Sequence, residues 1–459
     1  MVYTAVASGW SESRCTLESA ETLPSPPTPQ PNCTLSPSQV DCGFPYSKED
    51  DCINNKTAEH PDGCCWVPGG AQPSGHWCVI PVFPPTNATL TRLNMKQPCF
   101  WNLVHRPWQP ISGDPPITVE NVREHLSTPG QWYLDRARGE ILYFPLPGQK
   151  LADVAVVVAV EEKLVSVVEG GARQKFSGLT FSYATWLRPG QGDGFVEAQS
   201  AAFNVCPYGV LMEWYCGKDD VYVTTPGNVQ MIGAHDVEFS NSFFTHLGAY
   251  AAAASGGSQR ISWLGCGFSD ISAGAVMLGG TDTFNITDTS LWDGEFTVAD
   301  CQMMDTGKEF TGATTVFAAY VFNTTIEHNR IVNASYSGMT LGWGWGRENS
   351  MRGGNVVRGN HVQGVQTRRC CDGGGIYTLG PQPGSSLTEN YIAQGTPANS
   401  WGPADGNGIY REFSPTPALP PAHPLQYVSL LSPPTPFHSS PFKHPRATPL
   451  PSMISLPDR

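Results

Sequence analysis

Charge is scarce in this chain. Only 15% of its 459 residues are Asp, Glu, Lys or Arg, and they sum to a net −13. No cluster of Lys and Arg occurs, which argues against nucleic acid as a partner, because neutralising phosphates needs a basic face. Long apolar runs are missing as well. The longest, ADVAVVVAVEEKLVSVV, is interrupted by two Glu and a Lys and is too short to cross a bilayer, so no membrane span is expected. The opening MVYTAVASGW has neither the basic start nor the apolar core of a secretory leader, and the N-terminus is read as incomplete. Histidines at metal-ligand spacing are absent too. HPDG, VHRP and GNHV each hold a single His, so no metal site and no cofactor is called for.

What the chain does have is 48 Gly and 41 Pro, a composition of short strands and turns rather than long helices. Its length calls for more than one folding unit. Fourteen cysteines, an even count, point to an oxidising compartment. Acceptor sequons at Asn32, Asn55, Asn87, Asn285, Asn323 and Asn333 agree with that. The expected location is extracellular or within the secretory pathway.

Residues 1–30 read as an N-terminal segment ending in a linker, PSPPTPQP. Cys33, Cys42, Cys52, Cys64, Cys65 and Cys78 follow, in the strings DCGFP, GCCW and HWC. So short a segment buries too little apolar surface to hold itself without disulfides. Spacing alone leaves fifteen connectivities open. The segment 31–81 resembles the P-type, or trefoil, domain. That resemblance implies pairing of Cys33 with Cys65, Cys42 with Cys64, and Cys52 with Cys78. The stretch from Cys52 to Cys64 is longer than the family usually has, and Gln39 stands where Arg is common. Cys15 and Cys99 bracket the module and are placed to tie its two ends together.

Residues 82–160 read as a β-rich lead-in, in which GQWYLDRARGEILYFPLPG has the pattern of a hairpin. From 161 to 413 a polar-x-apolar unit recurs at Asn241, Cys266, Cys301, Asn329, Asn360 and Asn390, at intervals of about 25 to 35 residues. With Gly-rich turns and no helical pattern, this period suggests a mainly β chain folded as a right-handed parallel β-helix, a pectate-lyase-like solenoid with the trefoil module inserted. Asn at equivalent turns would then stack into a hydrogen-bonded ladder. Cys266 and Cys301 would sit on consecutive rungs, about 4.8 Å apart, where a disulfide and stacked free thiols are equal alternatives. A second register aligns Gly274, Gly338, Gly375 and Gly408, and pairs Asp372-Gly-Gly-Gly-Ile-Tyr with Asp405-Gly-Asn-Gly-Ile-Tyr. Residues 414–459, rich in Pro and Ser without periodicity, read as a disordered tail. Cys206 and Cys216 flank an insertion, CPYGVLMEWYC.

The strings MKQPCFWN, ENVREHLSTPGQWYLDRARGEILYFPLPG, FSGLTFSYATW, NASYSGMTLGWGWG and DGGGIYTLGPQPGSSLTENYI resemble parallel β-helix carbohydrate-active proteins close to glycoside hydrolase family 141 and its eukaryotic relatives. The resemblance implies hydrolysis of glycosidic bonds in complex polysaccharides by a secreted protein. It departs at GIYREFSP, where the family usually reads like IYLDEGSS and Glu412 stands in place of Asp.

Glycoside hydrolysis needs two carboxyl groups across the scissile bond. Asp372, which matches the family string, is the first candidate. Glu412, two residues beyond Tyr410 on the same strand face, is the second. Asp405 would lie one rung from Asp372, close enough to raise a neighbour's pKa. Both Asp also fit the role of turn residues before Gly. Trp343, Trp345, Tyr336, Tyr377 and Tyr410 are candidate substrate contacts, because flat rings beside Gly stack on sugar faces. Core filling is the competing role for these rings. The expected partner is a polysaccharide or glycan, and the expected state is a monomer. The alternatives are a non-catalytic carbohydrate-binding or extracellular matrix protein, and a calcium-dependent polysaccharide lyase.

Overall fold

The structure, a computed structural model, describes residues 2–8, 11–22, 65–68, 76–79, 91–104, 117–205, 222–283, 285–344, 352–367, 373–381, 383–393, 407–412 and 427–428. Three long parallel sheets of ten, seven and eight strands dominate it, and within each sheet the strand order largely follows the chain. The eight-stranded sheet runs from Val165–Val167 through Gly227–Ile232, Tyr250–Ser255, Val276–Leu278, Val316–Ala318, Met339–Leu341 and Gly374–Leu379 to Asn407–Glu412. Parallel strands buried on both faces read as near-continuous apolar runs, and this sheet obeys that rule: all six residues of Gly374–Leu379 are buried.

The sheets enclose one apolar core. Val229, Ala252, Val276, Val316, Met339 and Ile376 occupy one inward column and are all fully buried. Aromatic rings stack between successive strands, Phe176 on Phe239 at 4.9 Å and Phe244 on Phe268 at 4.7 Å. Such pairs add about 0.5–1.5 kcal/mol each beyond the area they bury.

A polar ladder runs along one corner of this core. Phe243, Gly267, Gln302, Arg330, His361 and Tyr391 pair in register, so the residues before them stack: Ser242, Cys266, Cys301, Asn329, Asn360 and Asn390. Asn329 Nδ2 donates to Asn360 Oδ1 at 3.0 Å, and Asn360 Nδ2 donates to Asn390 Oδ1 at 2.9 Å. Asn241 is one residue out of this register. It has φ 48° and sits at the left-handed corner shared with Asp300, His328 and Glu389, a conformation that Asn tolerates better than most residues. In the second register Gly338, Gly375 and Gly408 align, but the residue at that position before the strand Val276–Leu278 is Ala275, not Gly274.

The expectation of a right-handed parallel β-helix, a pectate-lyase-like solenoid, is corrected by this architecture. The chain is mainly β with little helix, but its organisation is one of several long parallel sheets together with a seven-stranded antiparallel sheet. Val2–Ser8 and Ser11–Thr22, within the expected N-terminal segment, are central strands of that antiparallel sheet, and the expected linker PSPPTPQP lies outside the described residues. Ser11–Thr22 pairs with Phe195–Gln199, from the region assigned to repeats, and with Thr91–Met95. A period of about 30 residues reports local repetition only, and contacts between such distant segments leave no periodic trace in the sequence. In the tail expected to be disordered, Tyr427 and Val428 pair with Leu387 and Thr388. The expected hairpin is present, with Trp132–Asp135 opposite Glu140–Tyr143. Of the expected trefoil, the backbone of Cys65–Pro68 pairs with that of His76–Val79. Its three disulfides and the Cys206–Cys216 insertion lie outside the described residues.

Cys15 and Cys99 form a disulfide across a sequence separation of 84, tying together the two ends of the bracketed segment. Both cysteines are buried with Leu17, Met95 and Leu103. A cross-link over so long a loop stabilises by about 4–5 kcal/mol in the chain-entropy model. The double variant Cys15→Ser, Cys99→Ser is therefore expected to melt well below the parent in a thermal scan. An unchanged melting temperature would show that the bond contributes nothing to the fold.

Candidate active site

One candidate residue, Tyr377, belongs to the outer face of the eight-stranded sheet. Ala253, Met277, Phe317, Thr340 and Tyr377 form the outward column of that sheet, and Tyr410 pairs with Tyr377 in backbone register. The antiparallel sheet lies over that face. Phe195 and Phe203 pack there with Tyr250, Met277, Phe310, Phe317 and Trp343. Strand Phe195–Gln199 is anchored by Glu197, whose buried carboxylate accepts the Glu12 amide at 2.8 Å and the Ala201 amide at 2.7 Å. A Cβ at residue 312 would lie 2.3 Å from Glu197 Oε1, so a larger residue there would displace this anchored carboxylate.

Beyond this anchor, Gln199 Nε2 donates to Tyr336 Oη at 3.0 Å and to Tyr377 Oη at 3.2 Å. The two phenol rings meet edge to face, with centroids 6.5 Å apart. Because Gln199 gives each phenol oxygen a donor, each phenol proton is directed elsewhere.

Of the candidate residues, Asp372, Asp405 and Trp345 lie outside the described residues. Glu412 and Tyr410 are on the strand Asn407–Glu412, where Tyr410 is opposite Tyr377 and Glu412 opposite Leu379. Tyr336, Tyr377 and Trp343 are buried rather than open-faced. Trp343 is edge-on to Phe317 at 5.9 Å and to Tyr222 at 6.0 Å. For these three rings the packing is that of core filling. Asn285, Asn323 and Asn333 are exposed, as a glycan acceptor must be. Asn32, Asn55 and Asn87 lie outside the described residues.

Two further buried carboxylates had no sequence signal. Glu12 receives Arg14 Nε at 3.1 Å and Thr311 Oγ1 at 2.9 Å. Burial pushes its pKa up, and Arg14 partly offsets that. Asp293 accepts the amides of Gly257 and Ser258 through Oδ1, both at 2.9 Å, and the Gly280 amide also faces its carboxylate. Burial raises its pKa from 3.8 to about 7, against the pull of the Ser258, Gly257 and Gly280 amides. A carboxyl raised in this way favours the fold when protonated. Its contribution is complete below about pH 4 and lost as the pH climbs through 7. Three pKa units correspond to roughly 4 kcal/mol. Asp293→Asn keeps an acceptor for both amides and does not titrate. In urea unfolding the variant should gain on the parent between pH 5 and pH 8, and a difference that is constant across that range would refute the buried proton.

No family model matches this chain, and no curated protein matches it. It is similar in structure to a solved glycoside hydrolase. The TM-score is 0.58 and the identity 26%, over 68% of this chain and 56% of that one. The chain therefore spans a little over half the length of that glycoside hydrolase. A second match is PfbA, a surface adhesin of Streptococcus pneumoniae, at 11% identity and TM-score 0.29, over 52% of this chain and 57% of that one.

Besides Glu12 and Asp293, residue-by-residue reading missed Glu197 and Gln199. Neither has a repeat partner or a motif. Only the pairing of Phe195–Gln199 with a strand near residue 14 brings them against the outer face of the sheet.

Proposed function

We propose that this chain is a secreted glycoside hydrolase acting on polysaccharide, with a trefoil accessory module. The observation that carries the reading is the structural similarity to a glycoside hydrolase at TM-score 0.58 and 26% identity. Asp372 and Glu412 are the proposed pair of carboxyl groups. One protonates the leaving oxygen, and the other attacks the sugar or activates water. Asp405, one repeat from Asp372, raises the pKa of whichever neighbour must hold a proton. Tyr410 and Glu412 alternate to the same side of their strand, which supports their sharing one groove. A carboxyl separation of about 5–5.5 Å corresponds to retention of configuration and a wider one to inversion. Trp345 and Tyr410 are the remaining candidate rings for stacking on sugar. Export is consistent with the Cys15–Cys99 disulfide. Among the described residues no helix is long and apolar enough to cross a membrane.

The departure at GIYREFSP favours a second reading, a carbohydrate-binding protein without turnover. A panel of polysaccharides, assayed with and without chelator, separates the readings. New reducing ends that form despite chelator support hydrolysis. Binding without any product supports the second reading. Unsaturated products that vanish with chelator would point to a lyase.

A further inference from the structure

Cys266 and Cys301 are free thiols, and both are buried. They occupy consecutive rungs of the polar ladder, between Ser242 on one side and Asn329 on the other. On the rungs that follow, side-chain amides exchange full hydrogen bonds. The thiols instead make long contacts to backbone oxygens: Cys266 Sγ to Phe239 at 3.5 Å and Leu264 at 3.7 Å, and Cys301 Sγ to Trp263 at 3.4 Å and Ala299 at 3.2 Å. Sulfur is a weak donor and acceptor, so as a ladder this pair is inferior to either Ser or Asn. What the pair has instead is proximity. Adjacent parallel strands put the two Cα atoms about 4.8 Å apart, inside the range a disulfide spans.

We propose that Cys266 and Cys301 are a convertible thiol–disulfide pair, a covalent staple between two neighbouring parallel strands, Gly267–Ile271 and Gln302–Thr306, in oxidising surroundings. The two thiols differ in a way that suits exchange. The hydrogen bond from Cys301 lowers the Cys266 thiol below its ordinary pKa, while that same contact and burial push Cys301 well above it. Cys266 therefore supplies the thiolate. It attacks one sulfur of a low-molecular-weight disulfide such as oxidised glutathione and expels the other half as a thiol. Cys301 then gives up its proton and attacks the Cys266 sulfur of the mixed disulfide, expelling the second half. The protein loses two hydrogens and the glutathione disulfide gains them. Because both thiols are buried, the exchange runs through local opening of this corner and is slower than that of an exposed thiol.

The test uses the full chain, warmed gently in a glutathione buffer poised at the potential of the secretory pathway, then acid-quenched, alkylated and mapped by mass spectrometry. The Cys15–Cys99 link is the internal control for oxidising conditions. With that link intact, the expected result is a peptide joining Cys266 to Cys301, two hydrogens lighter than the reduced pair, and a melting temperature raised by about 10 °C. Cys301→Ser should fold, since Ser242 already stands in the same column, and should show no rise. Both thiols fully alkylated beside an intact Cys15–Cys99 would overturn the proposal. A stable glutathione adduct on either cysteine, or a link to a third cysteine, would do the same.

Discussion

Asp372→Asn is expected to lower turnover on the responsive polysaccharide by about 10²–10⁴-fold, the range over which a positioned acid or base contributes. Asn has nearly the shape of Asp but neither gives nor takes a proton at neutral pH. The fold and sugar affinity should therefore persist while the rate falls. The same substitution also tests the competing role of Asp372. A turn residue before Gly acts through its side-chain oxygen, which Asn retains, so a purely structural Asp372 predicts a variant as active as its parent. Glu412→Gln should fall by a comparable factor if the two groups act as a pair, and the double variant should be little worse than either single one, because groups that act as a unit are not additive. A double variant that loses the product of the two single factors would separate the residues.

Asn360→Ala is expected to cost about 3–5 kcal/mol in folding stability, as large as single substitutions commonly reach. Asn360 Oδ1 accepts both the backbone amide and Nδ2 of Asn329, each at 3.0 Å. Its Nδ2 donates to the Ile326 carbonyl and to Asn390 Oδ1, both at 2.9 Å. Removing the amide leaves two donors and two acceptors at a buried corner, and each orphaned buried group costs about 1–3 kcal/mol. Asn241→Ala, one position off the ladder, removes only a tolerance for the left-handed corner and should cost about 1 kcal/mol. Urea denaturation of the two variants should rank them in that order. Equal losses would mean that the amides of Asn329, Asn360 and Asn390 do not act as a ladder.

These two asparagines also show how far the sequence could be read. Asn329, Asn360 and Asn390 were legible because a side-chain amide that bonds to its counterpart beside the neighbouring parallel strand must recur at a fixed register. Asn241 misled because the same residue type answers two different demands, a ladder and a left-handed corner, one position apart. Gly274 misled similarly, with Ala275 taking the aligned place. The alternation of Gly and Trp near Trp343 suggests a ring with one side left open. It says nothing of what covers that side, and Tyr222 and Phe317 do. The antiparallel sheet was illegible for the same reason: its strands come from segments far apart, and no local pattern in SESRCTLESAET names Phe195–Gln199 as a neighbour. Single buried carboxylates such as Glu197 and Asp293 carry neither period nor motif, and they emerge only when burial and partners are known.

The pairing of Ser11–Thr22 with Thr91–Met95 has a consequence for how this protein can be rebuilt. The register brings Thr22 opposite Thr91, so everything between them leaves and re-enters the sheet at a single point. To the strands on either side, residues 23–90 are the connection of a hairpin, whatever their length. Loop length costs little once the ends are held, and here Cys15–Cys99 also pins them a few residues below the exit. The position is thus a ready-made socket: the intervening module can be exchanged for another, or cut back to a short turn, while the register of the sheet beneath it is kept.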